Sequence, residues 1–352
     1  MPYRVIQWAT GSMGRTSLRR IIDHPDLELV GCYVYSADKA GRDAGELARR
    51  DPTGVIATDD IDAILALDAD VVMHMPRITL PYDAMNANVA RLLASGKNVI
   101  STAGFHYPPA QPDDHAAPLA AACAAGGVSL AGLGVNPGAI VERVTLAATG
   151  LCSRLDRIVI NETVDASSMA SPQFVFGLMG FGAAPDADIT RGPLAAMYSA
   201  LFSEVLYLAA AGLDDPVARI APDHDVTIAP RTITLPAGTI AAGTVAATRW
   251  RWTATLTSGA EITLSILWTA DPGLHPEDGR GHWTIDILGR PNIRLTVAID
   301  EGDPAAPPSR ALTDATVAVA IAGIPAVVAA PPGFFAYPAP PAFRARFPEH
   351  RR

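Results

Sequence analysis

The chain has 352 residues and a net charge of −9, with 49% hydrophobic and 18% charged residues. That length exceeds one small domain and fits two; the apolar share supports a sizeable core, and an acidic chain with no basic run argues against a nucleic-acid partner. Lys39 and Lys97 are the only lysines, so chemistry needing a lysine beyond residue 97 is excluded.

The opening stretch, MPYRVIQWATG, reads as a strand and a turn, without the basic and apolar regions of a secretory leader, so a cytoplasmic location is expected. Apolar runs Val5–Trp8, Leu27–Tyr35, Val71–Met75, Asn98–Ser101 and Val128–Ala131 alternate with helical stretches Met13–Asp23, Asp60–Leu67, Tyr82–Ser95 and Asp113–Ala125. Strand and helix in that rhythm predict a parallel sheet covered on both faces, an α/β Rossmann-like domain.

The pattern changes after about residue 137. A helix is predicted over Gly138–Gly150, a strand over Leu155–Val164 and a long helix over Pro193–Ala211. Strands follow near Asp225–Thr234, Gly243–Thr257, Ala260–Thr269, His282–Gly289 and Ile293–Asp300, joined by Ser-Gly and Arg-Pro-Asn connections. They predict a second, α+β domain on a mostly antiparallel open sheet. Thr313–Ala330 reads as a buried helix; its apolar stretch, broken by Gly323 and Pro325, is too short and interrupted for a membrane span. The expected division is 1–137, completed by 310–352, for the first domain and 138–309 for a substrate and dimerisation domain, giving a homodimer through the second sheet.

The first strand runs into Ala9-Thr10-Gly11-Ser12-Met13-Gly14 and then a helix. This is a glycine-rich dinucleotide turn with Ala9 at the usual first glycine: Gly11 lets backbone approach a pyrophosphate, Gly14 lets helix pack on strand, and the helix N-terminus offers N–H groups. After the second strand, Ser36 with Lys39 and Arg42 suits a 2′-phosphate, favouring NADP(H) over NAD(H), with Asp38 as a rival ligand for a ribose. In an open α/β sheet ligands lie at the carboxyl ends of strands. That places Met75, Pro76, Arg77, Thr102, Ala103, Gly104, Phe105, His106, Tyr107 and Asn136 among the candidates. His106 titrates near neutral pH and Tyr107 carries a phenol, so both are candidate proton carriers. Arg77 suits a substrate carboxylate. Glu162 and Asp165 end the first strand of the second domain; three residues apart, they point to opposite faces. Arg249-Trp250-Arg251-Trp252 alternates, which puts both tryptophans on one face as core, interface or substrate platform. Three distant cysteines give neither disulfide framework nor zinc spacing, and Asp223-His224-Asp225 lacks partner ligands, so no metal is expected.

Three segments carry a resemblance. The Gly11–Gly14 turn, Ser101-Thr102-Ala103-Gly104-Phe105 and Gly134-Val135-Asn136-Pro137-Gly138 resemble the dihydrodipicolinate reductase-like superfamily. Phe174–Gly182 (FVFGLMGFG) and Gly289-Arg290-Pro291-Asn292 look like its branch of 2,4-diaminopentanoate dehydrogenase and the native amine dehydrogenases. The resemblance implies that the stretches after Val71–Met75 and Asn98–Ser101 line a nicotinamide and that the Asn136 turn touches the cofactor. It also implies that the Glu162 region lines a substrate. Two departures qualify it. The reductases' paired histidines and catalytic lysine are missing from the second domain, which excludes that specific activity. The branch's glutamate after the Ser101–Phe105 motif is missing too, because Gly104-Phe105-His106-Tyr107-Pro108 holds no carboxylate. The expectation is an NAD(P)H-dependent oxidoreductase that delivers hydride to a small imine or carbonyl, in the manner of an amine dehydrogenase or imine reductase. A carbonyl or C=C reductase without amine chemistry and a non-catalytic dinucleotide-binding protein stay open. Phe105, Phe174, Phe176, Met179 and Phe181 suit an apolar substrate.

Overall fold

The computed structural model describes residues 1–276, 282–303 and 309–345. The chain divides into two compact units, Met1–Ala139 with Leu312–Pro338, and Ile140–Ala311 with the segment from Ala339 onward. The segment expected to complete the first domain, 310–352, is therefore shared. Its helix serves the first unit, while Phe343 N–H bonds Thr149 Oγ1 (3.0 Å) and Arg344 bonds the Gly212 carbonyl, both within the second. Residues 346–352 lie outside the described residues.

The first unit begins with β1 (Tyr3–Trp8), α1 (Ser12–Asp23), β2 (Leu27–Tyr33), α2 (Ala44–Ala48), α3 (Ile61–Leu65) and β3 (Val71–His74). It continues with α4 (Asn86–Ala94), β4 (Asn98–Ser101), α5 (Asp113–Gly126) and β5 (Ser129–Gly132). Strands β3, β4 and β5 are buried at every position, as a parallel sheet covered on both faces requires. Helix α1 buries Gly14, Ser17, Leu18 and Ile21, one stripe at helical spacing.

The chain crosses into the second unit within a π-helix, Val135–Thr145, where a helix over Gly138–Gly150 was predicted; α6 (Leu146–Thr149) follows. Next come β6 (Arg154–Asp165), a short π-helix Gln173–Leu178 and α7 (Pro193–Leu213). The strands are β7 (Val217–Pro222), β8 (Asp225–Ile228), β9 (Ile233–Leu235), β10 (Gly238–Ile240), β11 (Val245–Leu256), β12 (Glu261–Thr269), β13 (Trp283–Arg290) and β14 (Ile293–Val297). The seven-stranded sheet runs β14-β13-β6-β12-β11-β7, with β8 also on β11. Its pairs are antiparallel except β12 with β6.

The tryptophan stripe of β11 is core. Trp250 and Trp252 are fully buried and face α7, where Tyr198 packs on Trp250 (4.9 Å), Phe202 on Trp252 (5.0 Å), and Trp252 Nε1 donates to Ser199 Oγ (2.9 Å). On the opposite face Arg251 pairs with Asp223 and Asp225 at 2.5 and 3.6 Å, which accounts for the acidic flanks of His224.

The chain then returns to the first unit as α8 (Ser309–Val328) and β15 (Gly333–Phe334). Val317, Ala320, Ile324 and Val327 of α8 are fully buried with Val5, Ile21, Val71, Met73 and Ile100. By length and composition alone α7 and α8 each reach what a membrane span needs, longer than the broken stretch predicted for α8. Strand β15, which the proline-rich tail concealed, closes a six-stranded parallel sheet ordered β15-β5-β4-β3-β1-β2.

Candidate functional site

The turn after β1 is built from backbone outward. Ala9 adopts φ +72°, a left-handed conformation that costs an alanine energy and that glycine takes freely. Its carbonyl is held by buried Gln7, whose Nε2 donates to Ala9 O (3.0 Å), Trp8 O (3.1 Å) and Met73 O (3.4 Å). A Cβ on Gly14 would stand 2.1 Å from Ala9 O, whereas a Cβ on Gly11 would meet nothing within 4 Å. Gly11 caps α1 without a side-chain bond, and the first turn holds no acid. The amides of Ser12, Met13 and Gly14 thus open the helix beside free space, which is what a dinucleotide pyrophosphate requires. Thr10 is buried, and Lys39 Nζ returns to it, 3.3 Å from its carbonyl and 3.4 Å from its hydroxyl. The predicted dinucleotide residues Ala9–Gly14 and Lys39 are thus together.

Beyond β2, Tyr33 stacks on Trp8 at 3.8 Å and exposed Tyr35 accepts a hydrogen bond from Trp8 Nε1 (2.8 Å). Ser36 bonds Asp38, which holds that carboxyl below its usual range. Arg42 is engaged by Glu46 at 2.7 Å. A cation, a hydroxyl and a carboxylate therefore share this strand end.

At the ends of β3 and β4, Met75 is buried with its N–H on Trp8 O (3.1 Å), Pro76 is half-buried and Arg77 exposed. Sequence reasoning missed His74, hidden as the last residue of an apolar strand. It is 1% exposed, and burial pushes its imidazole down to about 3. Its Nδ1 lies 3.0 Å from Ser101 Oγ, which also accepts the Ala103 N–H at 3.1 Å, while Thr102 N–H bonds the His74 carbonyl at 3.1 Å. The turn Thr102–Phe105 is thus pinned to the sheet. Tyr82 Oη accepts the Phe105 N–H (3.1 Å), and Gly104 is required because a Cβ would lie 2.1 Å from that oxygen.

Two predicted roles change here. Phe105 is 3% exposed, with φ +66°, and packs edge-on against His74 at 6.4 Å; it is a buried turn residue, not an open substrate wall. His106 is buried too, and burial pulls its imidazole down to about 4 against a raising hydrogen bond with the Gly132 backbone. Burial thus leaves it neutral near pH 7, where its residue type predicts titration. Tyr107 stays half-buried, as does Asn136, which sits inside the π-helix.

In the second unit β6 separates its carboxylates as predicted. Glu162 is buried, opposite Ile266 and Trp283 on the tryptophan face, whereas Asp165 is exposed and accepts the Ser167 N–H at 2.8 Å. An open surface pocket of about 530 Å³ is lined by Phe176, Phe181, Gly182, Ala183 and Thr239. Of the residues predicted to line a substrate, Phe176 does so; Phe174 is half-buried outside this lining and Met179 is core, with its carbonyl bonded by Thr248 Oγ1. Sequence reasoning also missed Glu142 on the linking π-helix, 8% exposed, with Arg143 Nε at 3.6 Å and a carboxyl raised by burial.

Residues 5–122 match the family model described as dihydrodipicolinate reductase, N-terminus. The chain is 31% identical over 320 residues to an amine dehydrogenase from Streptomyces virginiae, covering 85% of this chain and 86% of that protein. It is 33% identical over 108 residues to a 4-hydroxy-tetrahydrodipicolinate reductase of Synechococcus elongatus, covering 29% of this chain and 38% of that one. Among solved structures, an amine dehydrogenase from Mycobacterium smegmatis superposes with a TM-score of 0.80 at 19% identity, covering 98% of each chain.

Proposed function

Because this chain belongs to the amine dehydrogenase branch of the dihydrodipicolinate reductase-like superfamily, we propose that it is an NAD(P)-dependent oxidoreductase acting on a small apolar amine and its carbonyl. In the reductive direction a carbonyl compound, ammonia, reduced cofactor and a proton give the primary amine, oxidised cofactor and water. The observation that carries the reading is the Ala9–Gly14 turn, with Gly14 packed against Ala9 O and open space at Gly11.

A bound nicotinamide dinucleotide supplies the hydride. The chain's residues do the rest. The Ser12, Met13 and Gly14 amides hold the pyrophosphate and Gln7 fixes the carbonyl below them. The turn Thr102–Gly104, held by Ser101 and Tyr82, presents a rigid, uncharged wall on which Met75, Pro76 and Asn136 continue. Neutral His74 and His106 keep that wall free of positive charge, which would oppose a cationic iminium or ammonium. The candidates for proton handling are Tyr107 in the first unit and Glu162 in the second, with Arg77 and Asp165 as exposed candidates. The preference is for NADP(H): Lys39 places a cation at Thr10, and Arg42 is available by exchange from an exposed pair with Glu46. We further propose a cytoplasmic homodimer, read by light scattering.

One observation favours a second reading, carbonyl reduction without ammonia: no carboxylate occurs from Ser101 to Ala110. Oxidation of NADPH and of NADH on a panel of aldehydes and ketones, with and without ammonia, decides. Turnover that requires ammonia, together with loss of rate in Glu162→Gln or Tyr107→Phe, supports the amine reading. Ammonia-independent turnover replaces it with the second.

A further inference from the structure

The carboxyl edge of the first unit carries one aromatic ring that is both fixed and open. Tyr35 lies just beyond β2, next to Ser36, and keeps 58% of its surface exposed. Its neighbours nonetheless hold it. The Tyr35 hydroxyl accepts a hydrogen bond from Trp8 Nε1 at 2.8 Å, and Trp8, the last residue of β1, is fully buried. The Tyr35 ring stands edge-on to Trp8 at 6.3 Å and 82°, and to Tyr33 at 5.2 Å and 87°. Trp8 and Tyr33 are themselves stacked at 3.8 Å, so Tyr35 is braced against a rigid pair. Among the described residues no aromatic ring lies parallel to it. A side chain in water ordinarily loses rotamer freedom when a ligand covers it. Here the ordering is already complete in the fold, which is the preorganisation that favours binding.

The position of the ring indicates what covers it. Trp8 leads directly into the Ala9–Gly14 turn, whose open side at Gly11 suits a pyrophosphate. In a Rossmann domain the end of the second strand meets the adenosine ribose, and here that position is Ser36, bonded to Asp38. Tyr35 therefore stands one residue from the ribose position and is anchored to the residue that precedes the pyrophosphate turn. The remaining part of the adenosine half is its adenine, a flat, uncharged heterocycle that stacks on aromatic rings. We propose that Tyr35 is the stacking platform for the adenine of the cofactor, held in place by its bond to Trp8. The proposal rests on the dinucleotide reading and adds the residue that takes the adenine. It also divides the work at this strand end. Lys39 distinguishes a 2′-phosphate from a hydroxyl, whereas Tyr35 contacts a group that NADP(H) and NAD(H) share and serves both alike.

The test follows three ligands through two variants of the full chain. NADPH and NADH are titrated by their fluorescence. Adenosine 2′,5′-bisphosphate, which carries the adenine without the nicotinamide, is titrated by calorimetry. Tyr35→Ala removes the ring, and all three affinities are expected to fall by a common factor of about five- to a hundredfold, the range that base–aromatic stacking supplies. The NADPH-to-NADH ratio stays as in the parent chain. Tyr35→Phe keeps the ring and drops the bond to Trp8, so its affinities are expected within about threefold of the parent's. Parent-like affinity in Tyr35→Ala overturns the assignment. So does an equal loss in Tyr35→Phe and Tyr35→Ala, because the hold on Trp8 and not the ring then carries binding. A loss confined to NADPH and the bisphosphate moves Tyr35 to the 2′-phosphate and overturns it too. A parent chain that binds none of the three ligands refutes the dinucleotide reading itself, and the platform with it. Turnover without ammonia refutes the amine reading alone and leaves the platform standing.

Discussion

The two glycines of the dinucleotide turn have opposite jobs, and single methyl groups separate them. At Gly14 an added Cβ lies 2.1 Å from Ala9 O and 2.8 Å from Ala9 C. Both atoms are backbone, and Gln7 holds the carbonyl at 3.0 Å, so no side chain yields. Restoring an ordinary carbon–oxygen distance moves α1 off the strand by about an ångström, and overpacking of that kind costs about 1–3 kcal/mol. At Gly11 the methyl meets nothing within 4 Å and φ is −68°, so alanine fits at an N-cap cost of about 1 kcal/mol or less. It does occupy the space over the Ser12 and Met13 amides. Holding a phosphate oxygen beyond hydrogen-bond reach weakens the cofactor at least about tenfold, or ~1.4 kcal/mol. Urea unfolding and titration of reduced-cofactor fluorescence separate the two effects. Gly14→Ala loses more stability than Gly11→Ala, whereas Gly11→Ala loses more affinity for both cofactors. Wild-type affinity in Gly11→Ala, or wild-type stability in Gly14→Ala, refutes the reasoning.

Ala9→Gly removes a left-handed alanine at φ +72° and raises stability by about 1 kcal/mol at most, read as a higher urea midpoint. Ser101→Ala strips the oxygen shared by His74 Nδ1 and the Ala103 amide; leaving buried groups unpaired costs about 1–3 kcal/mol, and the loosened Thr102–Phe105 turn raises KM for the cofactor. Acid destabilises the fold early. His106 titrates at about 4 folded against 6.5 unfolded, so the unfolded chain binds the extra proton as pH falls below 6.5. The His106 share of this decline is on the order of 3 kcal/mol and is complete by about pH 4, while His74, pushed down to about 3, adds a decline of the same sign that continues below pH 4. Urea midpoints from pH 8 to 4 read this, the slope is shallower in His106→Gln, and a flat profile between pH 7 and 5 contradicts it. Lys39→Ala lowers the NADPH-to-NADH preference in kcat/KM several-fold; an unchanged ratio removes Lys39 from the 2′-phosphate.

The alternating first unit was legible because each of β1 to β5 centres on a short apolar run and helices such as α1 carry a single buried stripe. The Gly turn was legible because its glycines answer backbone geometry. Periodicity did not separate a π-helix from an α-helix at Val135–Thr145, since apolar spacing over one or two turns is common to both. Strand β15 was missed because two residues, Gly333 and Phe334, carry no alternation and take their pairing from β5. The site was less legible than the fold. His106 was read from its residue type, yet its protonation is decided by packing that no local pattern records. His74 and Gln7 were passed over for the same reason: their neighbours are apolar, and their polar contacts are backbone groups, or a serine 27 residues away, that no local pattern marks. Glu162 against Asp165 came out as reasoned, because two-residue strand alternation is a local rule.

The return of α8 and β15 has a consequence for how the chain comes to be folded. The nascent first unit emerges with one edge of β5 bare and with Val5, Val71, Met73 and Ile100 short of the side chains that bury them, and those partners lie at Val317–Val327. About half of the polypeptide, Ile140 to Ala311, must be synthesised before they arrive. An open strand edge above an unfilled apolar face is the kind of surface that invites pairing between chains. The second unit can assemble in the interval while the first waits. Expression is therefore at risk from changes in α8, whose core also takes in Met75 and packs on Met13, and a coding sequence truncated before Ser309 yields aggregate rather than an isolated nucleotide-binding domain.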